Sequence, residues 1–481
     1  MEERKGFGSN FGFLMAAIGS AVGLGNIWGF PNKMGANGGF TFLIIYLILA
    51  ACCGFIVMMG ELALGRKTGR GVIGAYKILS RKFKWLGWLG VLSAFLILGF
   101  YCALGGYCLK YVTLNVGNLF HAGFGTGTLD GAGVFDALMA NQGECVIYGL
   151  IFVAITMVIV MGGVGGGIEK VCSVGMPALF VMLVICIIRS CTLEGASEGL
   201  KYMFVPGWAL ANGVIKEAPN FFSVVSTAGG QMFFSLSLGM AAMITYGSYL
   251  DKKENLQKNA IIIVVMDTLV ALMAGLCVIP GRFALDPTGN LGGPSLLFVT
   301  MQNVFDRMGG AGPVFGILFY LLVVFAAVSS SISLLEAVVA HFVDKARDEG
   351  KGDKRKLYSL IGAIGAGILC VIVCLDSLGN AGISPADILG MRGTMEKLPT
   401  WSADWLDFFD CIAEGILMPL GALLMSIMYG WEIGPEVVHA EATREGQSFG
   451  AYGWFKLCIK YITPLCMLLV LYGQIKEFFF V

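Results

Sequence analysis

The chain has 481 residues, of which 57% are hydrophobic and 13% are charged, and its mean hydropathy is +0.79. Soluble domains carry about 25% charged residues, so this composition excludes an ordinary soluble protein and indicates a chain that crosses a membrane many times. The formal net charge is zero, which gives no support to a nucleic-acid partner. The 14 cysteines lie mostly in apolar runs without a C-x-x-C spacing, so they predict buried apolar side chains rather than disulfides or metal ligands.

Eleven apolar runs are long enough to cross a bilayer, since a crossing helix needs about 20 predominantly apolar residues. They fall at about 11–32, 39–64, 86–113, 146–163, 171–190, 221–250, 257–283, 312–343, 357–375, 406–430 and 454–475. With the N-terminus inside, the inner segments carry more than twice as many Lys and Arg residues as the outer ones, which is the usual bias. We therefore expect a multi-pass protein of the cell membrane with a cytoplasmic N-terminus and an extracellular C-terminus.

The first run weakens its own helix at mid-depth. Its middle contains Gly19, Gly23, Gly25 and Asn26, and each interior Gly costs roughly 1 kcal/mol relative to Ala. Unpaired backbone groups are most expensive at this depth. We therefore expect this helix to be broken near the middle of the membrane and the break to serve a function.

The sixth run is interrupted in the same way, at Ser235, Ser237 and Gly239. Runs one and six each begin a set of five, so the chain divides into two halves with a break at matching positions. Such matched breaks favour a mid-membrane binding site, because unwound backbone offers carbonyls to cations and helix N-termini to a carboxylate. The alternative is that small residues only let helices pack closely.

Five stretches resemble the neurotransmitter:sodium symporter family, and its bacterial amino-acid transporters in particular. They are GSAVGLGNIWGFP (19–31), NGG (37–39), GELALGR (60–66), GQMFFSLSLGM (230–240) and SSSISLLE (329–336). The resemblance implies an all-α membrane protein with a leucine-transporter-like fold, in which helices 1 and 6 are discontinuous. It further implies one transporter domain over 1–481, comprising inverted five-helix repeats at 7–190 and 221–430 and an additional helix at 454–475.

The implied function is sodium-coupled symport by alternating access, which is not an enzymatic activity. Two sodium ions are expected and no organic cofactor, and sodium prefers oxygen ligands. Carried over residue by residue, the first sodium site would use Ala21, Asn26, Ser235 and Asp267, and the second Gly19, Val22, Ala326, Ser329 and Ser330. The alternative for these serines is a hydroxyl bonded back to the preceding helical turn.

Asp267 lies deep in an apolar run, where an ionisable side chain is expensive and rare. Chloride-dependent members of the family carry a Ser one turn further on, where this chain has Ala271. A carboxylate at 267 would supply the negative charge that chloride supplies elsewhere, so we expect chloride-independent transport. The alternative is a protonated structural Asp.

By the same resemblance, the substrate would contact Ala21, Gly23, Gly25, Ile97, Tyr101, Phe234, Ser237, Met240, Ser330 and Leu334. Monoamine carriers of the family have Asp at the position of Gly23, so its absence favours an α-amino acid whose carboxylate meets free helix amides. The apolar wall predicts a neutral, hydrophobic or aromatic L-amino acid. An osmolyte or a non-protein amine is the alternative substrate.

The resemblance implies gates at Arg4, Asp344, Ser248 and Tyr249 on the inner side and at Phe234 and Asp410 on the outer side. The outer gate departs from the family pattern, because Gly29 replaces the usual Arg that pairs with the acid on span ten. Either the outer side closes without an ion pair, or another group meets Asp410. The amino acid and the bilayer are the expected partners, and no oligomeric state is predicted.

Overall fold

The computed structural model describes residues 6–285, 295–395 and 397–480, and this part of the chain is helical without strands. In chain order the helices are α1 (Asn10–Ala21), α2 (Gly25–Ala36), α3 (Phe40–Thr68), α4 (Val72–Leu79), α5 (Leu86–Leu119), α6 (Gly131–Ala140), α7 (Gln142–Met161), α8 (Val164–Cys191), α9 (Ala196–Phe204), α10 (Trp208–Ala211), α11 (Phe221–Ser235), α12 (Ala242–Gly247), α13 (Leu256–Leu285), α14 (Met301–Asp306), α15 (Gly309–Asp348), α16 (Arg355–Asp376), α17 (Pro385–Ile388), α18 (Thr400–Ala403), α19 (Trp405–Glu432), α20 (Glu436–Ala442) and α21 (Tyr452–Phe479).

Within the described ranges, nine helices are long and apolar enough to cross a membrane, and the bent pair α1–α2 makes a tenth span. The nine are α3, α5, α7, α8, α13, α15, α16, α19 and α21. The sixth apolar run forms α11 and α12, of 15 and 6 residues, which are too short to be counted alone. The total of eleven crossings therefore depends on treating these two as halves of one broken span.

The first break separates α1 from α2, which are bent by 47°. Helix α1 ends because Val22 is extended, with φ −77° and ψ 96°. Helix α2 begins with a π-helical turn over Gly25–Gly29. The Gly23 N–H, which the break frees from the helix ladder, donates to the Asn26 side chain at 3.0 Å, so a side chain replaces the missing backbone partner.

The second break, between α11 and α12, takes backbone conformations that residues with a side chain rarely adopt. Ser237 and Ala241 have positive φ angles of 54° and 69°, and Gly239 has 76°. A non-Gly residue in this region costs on the order of 1–3 kcal/mol and persists only where surrounding contacts hold it. Ser237 Oγ donates to the Ser20 carbonyl at 2.7 Å, and the Gly239 N–H donates to Glu61 Oε1 at 2.7 Å.

Long continuous helices hold the two breaks next to each other. Helix α5 packs along α15, and both pack against α7 and α16. Helix α1 lies against α8 and α15, while α11 lies against α3 and α21. The two short interruptions are therefore enclosed by rigid helices on several sides, which positions the residues of the breaks to face one another.

Candidate substrate and ion sites

A cavity lies where the two breaks meet. Its lining is Ser20, Ala21, Gly23, Gly25, Ile97, Tyr101, Phe234, Ser237, Met240, Ser330 and Leu334. All ten residues that the sequence indicated for the substrate line this cavity, with Ser20 in addition. The cavity is small, since the centre of a water molecule could occupy only about 10 Å³ of it, which is room for about one water.

The polar end of the cavity is formed by the first break. The Leu24 N–H donates to Tyr101 Oη at 2.8 Å. At Gly23 a Cβ atom would lie 2.3 Å from Tyr101 Oη and 2.4 Å from Ser330 Oγ, so a larger residue fits there only if these two hydroxyls move away. The glycine is required for the close approach of α5 and α15 to this segment of unwound backbone.

The opposite wall is apolar. Ile97, Met240 and Leu334 are each at most 2% exposed, and Phe234 packs against Gly25, where a Cβ atom would lie 2.8 Å from the Phe234 ring. None of the lining residues is charged. A wall of this kind contacts a side chain by shape and burial and offers no counter-ion.

Asp267 is the centre of the cluster predicted as the first sodium site. It is fully buried on α13. Asn26 Nδ2 donates to Asp267 Oδ1 at 2.7 Å, and Ser235 Oγ donates to the two carboxylate oxygens at 2.9 and 3.1 Å. Tyr46 Oη, which the sequence did not indicate, donates to Oδ2 at 3.4 Å. In the part of the chain that the structure describes, no Lys or Arg pairs with this carboxylate.

The second predicted sodium cluster joins the end of α1 to the middle of α15. Ser329 Oγ donates to the Ala326 carbonyl at 2.9 Å and lies 3.5 Å from the Val22 carbonyl. Ser330 Oγ lies 3.3 Å from the Gly19 carbonyl. The Ser329–Ala326 bond is the back-bond expected of a serine within a helix, whereas the contacts to Val22 and Gly19 bring oxygens from both helices together.

Comparison with known proteins gives the family that the sequence motifs resemble. The sequence model of the sodium:neurotransmitter symporter family matches residues 4–119 and 138–479. The chain belongs to this family. A protein named as an uncharacterized sodium-dependent transporter, YhdH of Bacillus subtilis, is 34% identical over 96% of both chains. One of the same description from Haemophilus influenzae is 29% identical over 98% of both. The crystal structure of MhsT in complex with L-phenylalanine is 33% identical, covers 98% of this chain and 100% of that one, and superposes with a TM-score of 0.84.

As a sodium:neurotransmitter symporter, the chain is a multi-pass membrane transporter that depends on sodium, and it is not an enzyme. The all-helical fold predicted from the sequence is confirmed by the likeness to MhsT. The roles of the individual residues remain predictions.

On the side predicted to be cytoplasmic, the symporter has an ion pair that the sequence did not indicate. Arg355 Nη2 donates to Glu336 Oε1 at 3.0 Å, and Tyr249 Oη donates to the same carboxylate. Glu336 is fully buried. Tyr249, a residue predicted for the inner gate, thus contacts Glu336 through its hydroxyl.

The other predicted inner-gate residues lie close by. Asp344 Oδ2 accepts a hydrogen bond from the Gly71 N–H at 2.9 Å, and Ser248 Oγ bonds back to the Thr245 carbonyl at 2.6 Å. Arg4 lies outside the described residues.

On the outer side, a lysine close to Gly29 in the sequence forms an ion pair. Lys33, one turn beyond Gly29, places Nζ 2.6 Å from Glu414 Oε1, with side chains 24% and 7% exposed. Asp410, the residue implied by the family pattern, makes no ion pair within the described residues. The space beside Gly29 is filled by Gln231, whose Oε1 would lie 2.8 Å from a Cβ atom at Gly29 and whose Nε2 donates to the Gly25 carbonyl at 2.6 Å.

Proposed function

We propose that this symporter imports a neutral, hydrophobic or aromatic L-amino acid together with two sodium ions. The observation that carries the proposal is the buried Asp267–Asn26–Ser235 cluster beside a cavity with one polar and one apolar end. The relative MhsT was crystallised with L-phenylalanine, which supports an amino acid of this class for a cavity built from the same fold.

The polar end suits the common part of an α-amino acid. The substrate carboxylate would take the amides of the first break in exchange for their bonds to Asn26 and Tyr101, together with the Tyr101 hydroxyl, because helix N-termini and oriented N–H groups stabilise anions. The ammonium group would take carbonyls of the unwound backbone. With no charged residue in the lining, a charged substrate side chain would be buried without a partner, which is costly.

Asp267 would supply the negative charge at the first sodium site. A buried carboxylate without a Lys or Arg partner among the described residues stays ionised only where another cation compensates its charge, and a sodium ion would do so. Asn26 and Ser235 would then turn oxygen atoms towards the ion. Since this negative charge is part of the protein, we expect transport without chloride. The second ion would lie between α1 and α15, among the Val22, Gly19 and Ala326 carbonyls and the two serine hydroxyls.

Two sodium ions would provide enough energy to concentrate the substrate. Each gains roughly 2.3 kcal/mol per 100 mV of membrane potential and about 1.4 kcal/mol per tenfold concentration gradient. The total of roughly 7 kcal/mol corresponds to about a 10⁵-fold accumulation of a zwitterion. This direction of transport rests on the proposed orientation, with the N-terminus cytoplasmic.

Thermal unfolding of the purified protein tests the substrate class. The twenty amino acids are screened with sodium and with choline, and the hits are then followed by uptake into proteoliposomes with chloride or gluconate outside. We expect hydrophobic or aromatic L-amino acids to raise the unfolding temperature only with sodium, because ligands of the folded state stabilise it. Stabilisation by betaine-like osmolytes or amines alone would contradict the amino-acid proposal, and uptake that stops in gluconate would contradict chloride independence.

A further inference from the structure

A basic pocket on the inner face lies apart from the transport site. It has a volume of about 620 Å³ and lies between the loop after α3, the short helix α4, the start of α5 and the end of α15. Its lining is Arg70, Ile73, Gly74, Lys77, Ile78, Lys84, Trp85, Trp88, His341, Asp344, Lys345 and Asp348. Neither the substrate cavity nor the sodium clusters use any of these residues.

The charges of the pocket do not cancel. Asp348 is paired with Arg70 at 2.8 Å, and Asp344 accepts the Gly71 N–H. Lys77, Lys84 and Lys345 are exposed, and within the described ranges none of them has a carboxylate at ion-pair distance. The lining therefore carries four Lys and Arg side chains against two Asp side chains, and this excess of positive charge attracts an anion.

The apolar rim of the pocket indicates what kind of anion it takes. Ile78, Trp85 and Trp88 are 61%, 47% and 53% exposed. Trp side chains are typical of the membrane–water boundary, where the ring contacts acyl chains and the polar edge faces headgroups. Trp88 also lies against His341, with ring centroids 5.5 Å apart, so the aromatic rim continues into the pocket wall.

We propose that this pocket binds the phosphate headgroup of an anionic phospholipid of the inner leaflet, with its acyl chains along Ile78 and the two tryptophans. A soluble phosphate would satisfy the lysines but not the exposed apolar rim, whereas a phospholipid satisfies both. Basic pockets between helices on the cytoplasmic side are suited to such headgroups. The proposal rests on the proposed orientation but not on the identity of the transported substrate.

Binding is measured on the full-length purified protein without amino acid or sodium, by native mass spectrometry and by the shift in unfolding temperature. The probes are phosphatidylglycerol, phosphatidylcholine of the same chain length, and inorganic phosphate, all in choline chloride. The test variant is K77Q/K84Q/K345Q. The control is K252Q/K253Q/K258Q, which removes the same charge from exposed lysines of the same face.

We expect the wild type and the control to retain phosphatidylglycerol and to be stabilised by it more than by phosphatidylcholine. The test variant should bind phosphatidylglycerol on the order of a hundredfold more weakly, since each Lys near an anionic lipid contributes about a factor of five. Equal binding of the two lipids by the wild type, or equal loss in both variants, would overturn the proposal. Stabilisation by inorganic phosphate equal to that by phosphatidylglycerol would also overturn it in favour of a free anion. Because lipid binding is measured without amino acid or sodium, the result does not depend on whether the protein transports an amino acid.

Discussion

The Lys33–Glu414 ion pair leads to a prediction about how the outer side closes. It joins α2, which follows the first break, to α19, and we expect it to exist only while the outer side is closed. Removing it by Lys33→Met or Glu414→Gln should therefore favour the open form and speed the release of bound amino acid. Glu414→Gln keeps the shape of the side chain and removes only its charge.

The size of the effect follows from the burial of the pair. An exposed ion pair contributes at most about 1 kcal/mol, whereas breaking a fully buried pair costs about 3–5 kcal/mol. With side chains 24% and 7% exposed and an N–O distance of 2.6 Å, this pair lies between those limits, at about 2 kcal/mol. A shift of that size changes the ratio of open to closed forms about 30-fold.

The assay is the rate at which a tritiated amino acid, chosen from the thermal screen, leaves the purified protein in saturating sodium. Lys33→Met, Glu414→Gln and the double variant form a double-mutant cycle, which isolates the pairwise interaction. Each single variant should release substrate about 30-fold faster, with little further change in the double variant. The reversed pair K33E/E414K should recover part of the slow release.

A matched control is the Lys201–Glu198 pair on α9, which has a similar distance of 2.9 Å but is about half exposed. Lys201→Met should change the release rate less than about fivefold, as expected of a surface pair. Release from Glu414→Gln within about twofold of the wild-type rate, with unchanged unfolding temperature, would refute the gate role. An effect of Lys201→Met on the release rate equal to that of Glu414→Gln would also refute the gate role.

Substitutions at three further residues test the binding site and the Arg355–Glu336 ion pair. Asp267→Asn should raise the sodium concentration for half-maximal stabilisation by amino acid more than about tenfold, because the ion loses its charged ligand; an unchanged sodium dependence would contradict the first ion site. Gly23→Ala should abolish substrate binding, since its Cβ would lie 2.3 Å from Tyr101 Oη, and isothermal titration that still detects binding would contradict the polar end. Arg355→Met leaves the buried Glu336 unpaired and should destabilise the fold by about 3–5 kcal/mol, whereas Arg355→Lys should lose less; denaturant unfolding measures both.

The two helix breaks could be predicted from the sequence because their determinants are local, whereas the residues that line the cavity were carried over from the family resemblance. The Gly and Ser residues that interrupt the first and sixth spans lie within short motifs, and unwinding at mid-depth is too expensive to persist unless the freed backbone groups find partners. Asp267 was indicated both by the family resemblance and by cost, since a carboxylate in an apolar run is rare. The positive φ angles of Ser237 and Ala241 were not predicted, because their conformations are imposed by contacts with other helices.

The Lys33–Glu414 and Arg355–Glu336 ion pairs were not predicted, because neither the family pattern nor the spacing of charged residues connected their partners. Lys33 and Glu414 are 381 positions apart, and the family pattern pointed to Gly29 and Asp410 instead. Glu336 was visible at the end of the serine motif, but nothing in the spacing connected it to Arg355. A signal for the outer pair does exist: a Lys one turn beyond the expected Arg position is well placed for a displaced partner.

We expect the strength of the outer pair to fit the energy that sodium can deliver. At about 2 kcal/mol, the partly exposed pair is weaker than the roughly 7 kcal/mol per cycle that the coupled entry of two ions would provide. A closure much stronger than the outer pair would keep the cavity shut, since a ligand shifts an equilibrium only by its differential affinity for the two states. We therefore predict that Lys33, one turn beyond Gly29, takes the place of the family's arginine in the outer gate.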